Sequence, residues 1–253
     1  MKRFLQILII LLSFSTIEAQ NTTLFDEGNT LYNKGKYAEA IDKYMAVLET
    51  ENHSSELYYN LANAHYKLNN VAPSIYYYEK ALQLNPKDKD IKNNLAFANN
   101  MTVDAIDNLP EVGFSKLIKN MTNTFHFDTW AKITVALGFC YVILVLLYYF
   151  SFSSVKKRIT FVGSITCLIA LFITLAFAFN KFEIDKKNNP AIVFAQEAKV
   201  KTDPNTRSEE SFRLHEGTKV QIIETYNDWK KIKLTDGKMG WISSEDIKAL
   251  NNF

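Results

Sequence analysis

Hydrophobic positions along this chain fall into three textures. Uninterrupted apolar blocks stand near residues 4–17, 130–152 and 159–179. Between the first two blocks, apolar and small residues recur every three or four positions, the spacing of one helix face. After about residue 190 they come in short runs rich in Val and Ile, separated by turn signals such as Asp203-Pro204-Asn205, Glu216-Gly217 and Asp236-Gly237. The pattern predicts a helical region at 20–100, two long apolar helices, and a small all-β module at 190–253.

The long blocks read as membrane spans. Residues 130–152 carry one charge, Lys132, near the start, and residues 159–179 carry none. Both reach the roughly 20 residues that a bilayer core needs. The alternative, a pair of buried core helices, lacks enough other apolar mass to wrap them. Lys156, Lys157 and Arg158 sit in the 153–158 turn, which the positive-inside rule places in the cytoplasm. The first block differs. Lys2 and Arg3, a short apolar run and Ala19 form the pattern of a secretory signal peptide, cut after residue 19. Ile17 is bulky for that site, which leaves an uncleaved anchor as the alternative. Both arguments put residue 20 onward outside: an inner (cytoplasmic) membrane protein with its flanking domains on the periplasmic side.

Within the helical region one pattern occurs twice. Moving 34 positions carries Gly28 to Ala62, Tyr37 to Val71, Ala40 to Ser74, Ile41 to Ile75, Tyr44 to Tyr78 and Leu48 to Leu82. This period resembles the tetratricopeptide repeat, a helix–turn–helix unit. Helix A of each repeat falls near 24–33 and 55–68, and helix B near 37–49 and 72–85. Gly28, Ala40, Ala62, Ser74 and Ala81 are small where paired helices must approach closely. A third helix near 89–100, with Ile91, Leu95 and Ala98 inward, reads as a cap over the last open face.

The resemblance implies a concave groove for another protein, lined here by Phe25, Asn29, Tyr32, Tyr59, Asn60, Asn63, Tyr66 and Lys67. Asn29 and Asn60 match two asparagines with which some such domains clamp a terminal carboxylate, but Phe25, Asp90 and Asn94 stand where the clamp is basic. The implied ligand is therefore an apolar or polar peptide segment. Packing against the next helix is the alternative role for Tyr32, Tyr59 and Tyr66. Residues 101–129 read as a linker. Leu109-Pro110-Glu111-Val112-Gly113 breaks any helix, and Phe114, Leu117, Ile118 and Met121 then form one face of a short amphipathic helix, with Lys116 and Lys119 opposite. Such a helix would lie on the outer leaflet. A loop packed on the repeats is the alternative.

The C-terminal module predicts five strands and a hairpin at Asp236-Gly237. Asn205-Thr206-Arg207-Ser208, Leu214, Gly217, Val220, Ile222, Asp228-Trp229, Ile232, Gly240-Trp241-Ile242 and Ile247 resemble the bacterial SH3 domain. Tyr226, Trp229 and Trp241 form its candidate aromatic patch, with core packing as the alternative. The fold class is thus a multidomain membrane protein: an all-α tetratricopeptide repeat domain, a transmembrane helical hairpin with a 180–189 linker after it, and an all-β SH3-like small barrel.

Composition narrows the chemistry. A net charge of +2 with no basic stripe argues against nucleic acid. Cys140 and Cys167 both lie inside the apolar blocks, so no disulfide framework or metal spacing forms. His53, His65, His126 and His215 are scattered, and there is no phosphate loop, nucleophile elbow or paired-carboxylate signature. The reading is of a non-enzyme without a cofactor. The domain order resembles the BatE-like proteins of Bacteroides aerotolerance (Bat) operons. That resemblance implies a scaffold or chaperone-like subunit of an envelope complex tied to oxidative-stress tolerance. Its implied partners are membrane proteins of the same operon, of von Willebrand factor A type and other repeat proteins, besides the lipid bilayer. The alternative is a cell-wall sensor whose SH3 module binds peptidoglycan peptides.

Overall fold

The computed structural model describes residues 21–106 and 113–251. The signal peptide read from the sequence at 1–19 and the Leu109-Pro110 break lie outside the described residues. The chain divides into two compact units, residues 1–108 with 189–253, and residues 109–188.

Five antiparallel helices open the first unit: α1 (21–33), α2 (Tyr37–Leu48), α3 (Ser55–Lys67), α4 (Val71–Leu84) and α5 (Lys89–Asn99). The repeat period extends to their caps. α1 ends with Gly35 at φ +76°, and α3 ends with Asn69, 34 positions on, at φ +61°. In both places the chain closes with the same pair of bonds. Gly35 N donates to Tyr32 O and Lys36 N to Leu31 O, while Asn69 N donates to Tyr66 O and Asn70 N to His65 O. Gly and Asn are the residues that tolerate this left-handed cap. Ser54 and Asp88 start α3 and α5 by accepting backbone N–H bonds.

Small residues set the helix spacing. A Cβ added to Gly28 would lie 2.5 Å from the Tyr44 ring. Ala40, Ala62, Ser74 and Ala81 are fully buried, and Ser74 Oγ donates to Ala62 O at 3.1 Å.

Strands β1 (Pro190–Val193), β2 (Glu197–Lys201), β3 (Glu210–His215), β4 (Lys219–Tyr226), β5 (Trp229–Lys233), β6 (Met239–Ser243) and β7 (Ile247–Ala249) form one antiparallel sheet in the order β3-β2-β6-β5-β4-β1-β7. Its core is Val200, Leu214, Val220, Ile222, Ile232 and Ile242. The helical repeat region, two long apolar helices and an SH3-like antiparallel sheet together match the architecture read from the sequence. Two strands go beyond the five expected. β3 is hidden by its charges, with only Phe212 and Leu214 alternating, and β7 is three residues long.

The sheet packs on the repeats within this unit. Ile192 and Leu250 are fully buried in the same cluster as Ile75, Tyr76 and Leu95 on α4 and α5. Tyr76 meets Phe194 edge-on at 5.6 Å, and Lys248 Nζ lies 4.7 Å over the Tyr76 ring. Lys219 pairs with Glu79 at 2.7 Å. The segment after α5 is tied down as well. Asp104 accepts from His215 N, His215 Nδ1 and Thr218 Oγ1 at 2.6–2.7 Å, and Ile106 packs on the sheet core. Burial pushes the Asp104 carboxyl up, but these hydrogen bonds from Thr218 and His215 outweigh it and hold the group below the usual carboxylate range.

The second unit contains α6 (Phe114–Thr122), α7 (Phe127–Phe150) and α8 (Ser154–Lys187). α7 and α8 are long and apolar enough to cross a membrane. α8 runs on to Lys187, through residues read from sequence as a linker. Lys181, Glu183, Asp185 and Lys187 form i,i+4 pairs there that sustain a polar helical extension. Thr134 Oγ1 donates to Thr174 Oγ1 at 2.9 Å between the two long helices. Trp130 Nε1 donates to Thr122 O at 3.0 Å and anchors the end of α6.

Candidate functional site

The concave side of the repeats holds a cavity of about 250 Å³. α1 supplies Tyr32, α3 supplies Tyr59, Asn63, Tyr66 and Lys67, α4 supplies Tyr78, and α5 supplies Asn94 and Phe97. Five of the eight groove residues read from sequence thus come together: Tyr32, Tyr59, Asn63, Tyr66 and Lys67. The others stand behind the wall. Asn29 Oδ1 accepts from Tyr44 OH at 2.8 Å and from Asn60 Nδ2 at 2.9 Å, and Phe25 tilts against the Tyr44 ring at 5.8 Å.

That bonding is itself periodic. One repeat on, Asn63 Oδ1 accepts from Tyr78 OH at 2.5 Å and from Asn94 Nδ2 at 3.0 Å. Each asparagine ties its own helix to the second helix of its repeat and to the first helix of the next unit. The first set closes inside the solenoid; the second opens onto the cavity. Asn94 also donates to Tyr59 OH at 2.9 Å. Tyr78 and Asn94, read from sequence as a packing residue and as a clamp position, and Phe97, not singled out, were missing from the expected groove lining. Carrying the 34-residue period once more, from Tyr44, Asn60 and Asn63, lands on all three.

The cavity is aromatic and mostly uncharged. Burial, aided by neighbouring tyrosines, raises the Tyr32 and Tyr78 hydroxyls above their ordinary value, so both stay neutral donors. Lys67 is the cation in the lining and makes no ion pair among the described residues. Phe97 stays 60% exposed at the rim. Such a wall offers ring faces to apolar groups and a few hydrogen bonds to peptide carbonyls.

In the SH3-like sheet, register places Trp229, Lys231 and Trp241 on the face away from Ile232 and Ile242. Lys231 Nζ lies 5.7 Å over the Trp241 ring, which is buried, whereas Tyr226, opposite Trp229 in the hairpin, is 55% exposed. Trp241 is therefore a packing residue, and Tyr226 and Trp229 are what the patch presents. Among the described residues no cluster of His, Cys, Asp or Glu has metal-binding geometry.

Comparison with known proteins agrees with these modules. The family model described as Tetratricopeptide repeat matches residues 55–88, and that described as TPR repeat matches residues 28–69. The model described as Bacterial SH3 domain matches residues 197–248. The chain is also 33% identical over 75 residues to the Photosystem I assembly protein Ycf3 of Cyanophora paradoxa, a match over 28% of this chain and 43% of that protein. The chain thus spans less than half the length of that relative. What these comparisons share is interaction modules: helical repeats at one end of the chain and an SH3 domain at the other.

Proposed function

We propose that this protein is a membrane-anchored scaffold, chaperone-like in action, that holds a segment of a partner protein in the groove of its repeats. The observation that carries this reading is the tyrosine-walled cavity at Tyr32, Tyr59, Tyr66 and Tyr78 on the concave side. Its ligand is an extended peptide segment with apolar or aromatic side chains. The name of the Cyanophora relative, an assembly protein, supports this reading. The complex is of the Bat type, in the inner membrane, linked to oxidative-stress tolerance. Its partners are von Willebrand factor A membrane proteins and other repeat proteins, with the repeats and SH3 module on the periplasmic side. No step of this role requires catalysis or a cofactor.

The test is co-purification. The full chain is tagged at its C-terminus, crosslinked in intact cells and extracted in mild detergent. Recovery of von Willebrand factor A proteins, lost in Tyr66→Ala/Lys67→Glu, is the expected result. Recovery unchanged by that pair would sink the groove reading. The exposed Tyr226 supports a second reading, a cell-wall sensor. In that case Tyr226→Ala would abolish retention of the full chain on purified peptidoglycan, and the groove variant would leave retention intact.

A further inference from the structure

At the open end of the hairpin, α7 and α8 part around a hollow of about 350 Å³. Ala131 and Val135 of α7 face Leu175 and Ala178 of α8 across it, and Phe127 and Phe182 stack edge-on at 5.7 Å beside it. No polar atom is exposed inside. The two alanines make the space, because a larger residue at either would fill it. The hollow lies at the end of the charge-free stretch 159–179 and below the charged extension of α8. In a bilayer this is the level where acyl chains meet headgroups.

The surrounding charge is one-sided. Residues 113–137 and 175–188 contain Lys116, Lys119, Lys132, Lys181, Lys186 and Lys187 against Asp128, Glu183 and Asp185. Lys181 pairs with Asp185, and Lys187 with Glu183. Lys186 has no partner among the described residues. It follows Phe182 by four positions and Phe179 by seven, so it stands on the helix stripe that lines the hollow. α6 adds exposed Leu117 and Met121 and its own lysines in the same unit. A partner helix is a poor occupant. Packed membrane helices need a run of small residues to approach, and here phenylalanines hold a backbone away.

We propose that this hollow is a binding site for one anionic phospholipid, its acyl chain between α7 and α8 and its phosphate on Lys186. The inference rests on the reading that α7 and α8 span a bilayer. The slot's one polar lining residue, Thr134, has its hydroxyl bonded to Trp130 O and Thr174 Oγ1, so the apolar surface takes a hydrocarbon chain, and a lysine above it selects the charge of the headgroup.

The experiment uses the full chain in bilayers of equal phosphatidylglycerol and phosphatidylcholine. Flotation first establishes that the protein is embedded, and native mass spectrometry then reads the lipid it retains. One bound phospholipid is expected, with phosphatidylglycerol enriched about fivefold. Lys186→Glu, at an exposed position, abolishes the enrichment while a lipid is still held. Ala131→Phe/Ala178→Phe removes the lipid. An embedded protein that retains no lipid overturns the proposal. So does one that holds lipid without regard to headgroup, or that holds a second protein copy in the slot. A chain that fails to float refutes the membrane reading itself, and with it the site.

Discussion

Gly217 shows what one residue contributes to joining the two modules of the first unit. Its φ is +84°, and a Cβ there would lie 2.8–2.9 Å from Thr102, Ile75 and Val71. Gly217→Ala therefore costs twice, in backbone strain and in overlap, by roughly 1–3 kcal/mol. A lowered denaturation midpoint of the full chain, followed by tryptophan fluorescence, checks it. His65 makes the acid side of stability specific. It stacks on Tyr77 at 5.6 Å, Asn70 Nδ2 meets its Nδ1 at 3.2 Å, and burial lowers its pKa from 6.5 to about 4. The folded protein keeps this ring neutral between those values, whereas the unfolded chain takes up a proton. Stability contributed by neutral His65 is thus full above pH 6.5 and falls toward pH 4, by at most about 3 kcal/mol. Asp104 acts lower. Its depressed carboxyl stabilises the fold above the unfolded value of about 3.9 and loses that effect only as pH falls below it. His65→Gln should flatten the stability curve between pH 6.5 and 4 and leave the steeper loss below pH 4 in place. An unchanged slope in that window would count against a buried neutral ring.

Helices proved more legible than strands. The 34-residue shift located four helices and their small-residue contacts, because a solenoid writes the same packing problem twice. Strands with mixed faces write it weakly, and β3 escaped for that reason. The groove was partly legible. Residues on α3 were found from the family pattern, while Asn94 and Phe97 sit where the period runs past its second copy, and Tyr78 read as packing on the second helix of its repeat. Least legible was the docking of β1 against α4. Nothing in Ala191-Ile192-Val193 marks it as more than a core strand, and Ile192 faces the helices only because Val193 and Ala191 face the sheet core. Two repeats and a cap are fewer than such domains usually need, and the sheet covers what a third repeat would. Ile192→Asp, which buries a charge at this seam, should raise amide hydrogen exchange in α4 and α5 more than in α1 and α2. Equal protection in all four helices would mean that the repeats stand without the sheet.

At the scale of the whole molecule, the contacts inside the first unit constrain how the chain threads a membrane. Residues before the hairpin and residues after it touch directly, as at Asp104 and His215, 2.7 Å apart. A bilayer core is about 30 Å thick, so in the proposed membrane reading these two segments share one side of it. In that proposed reading, two spans between them put the Lys156-Lys157-Arg158 turn on the other side. The charge pattern independently favours the same proposed topology, since basic turns tend to stay on the cytoplasmic side. Single cysteines test it in a Cys140→Ser/Cys167→Ser background. Lys34→Cys and Glu209→Cys, both at exposed positions in the first unit, should react alike with a membrane-impermeant maleimide added to intact spheroplasts. Lys157→Cys, exposed at the start of α8, should react only after the membrane is opened. Labelling of Lys34→Cys without Glu209→Cys would separate the repeats from the sheet across the bilayer, and the packing of β1 on α4 would then not exist in the cell.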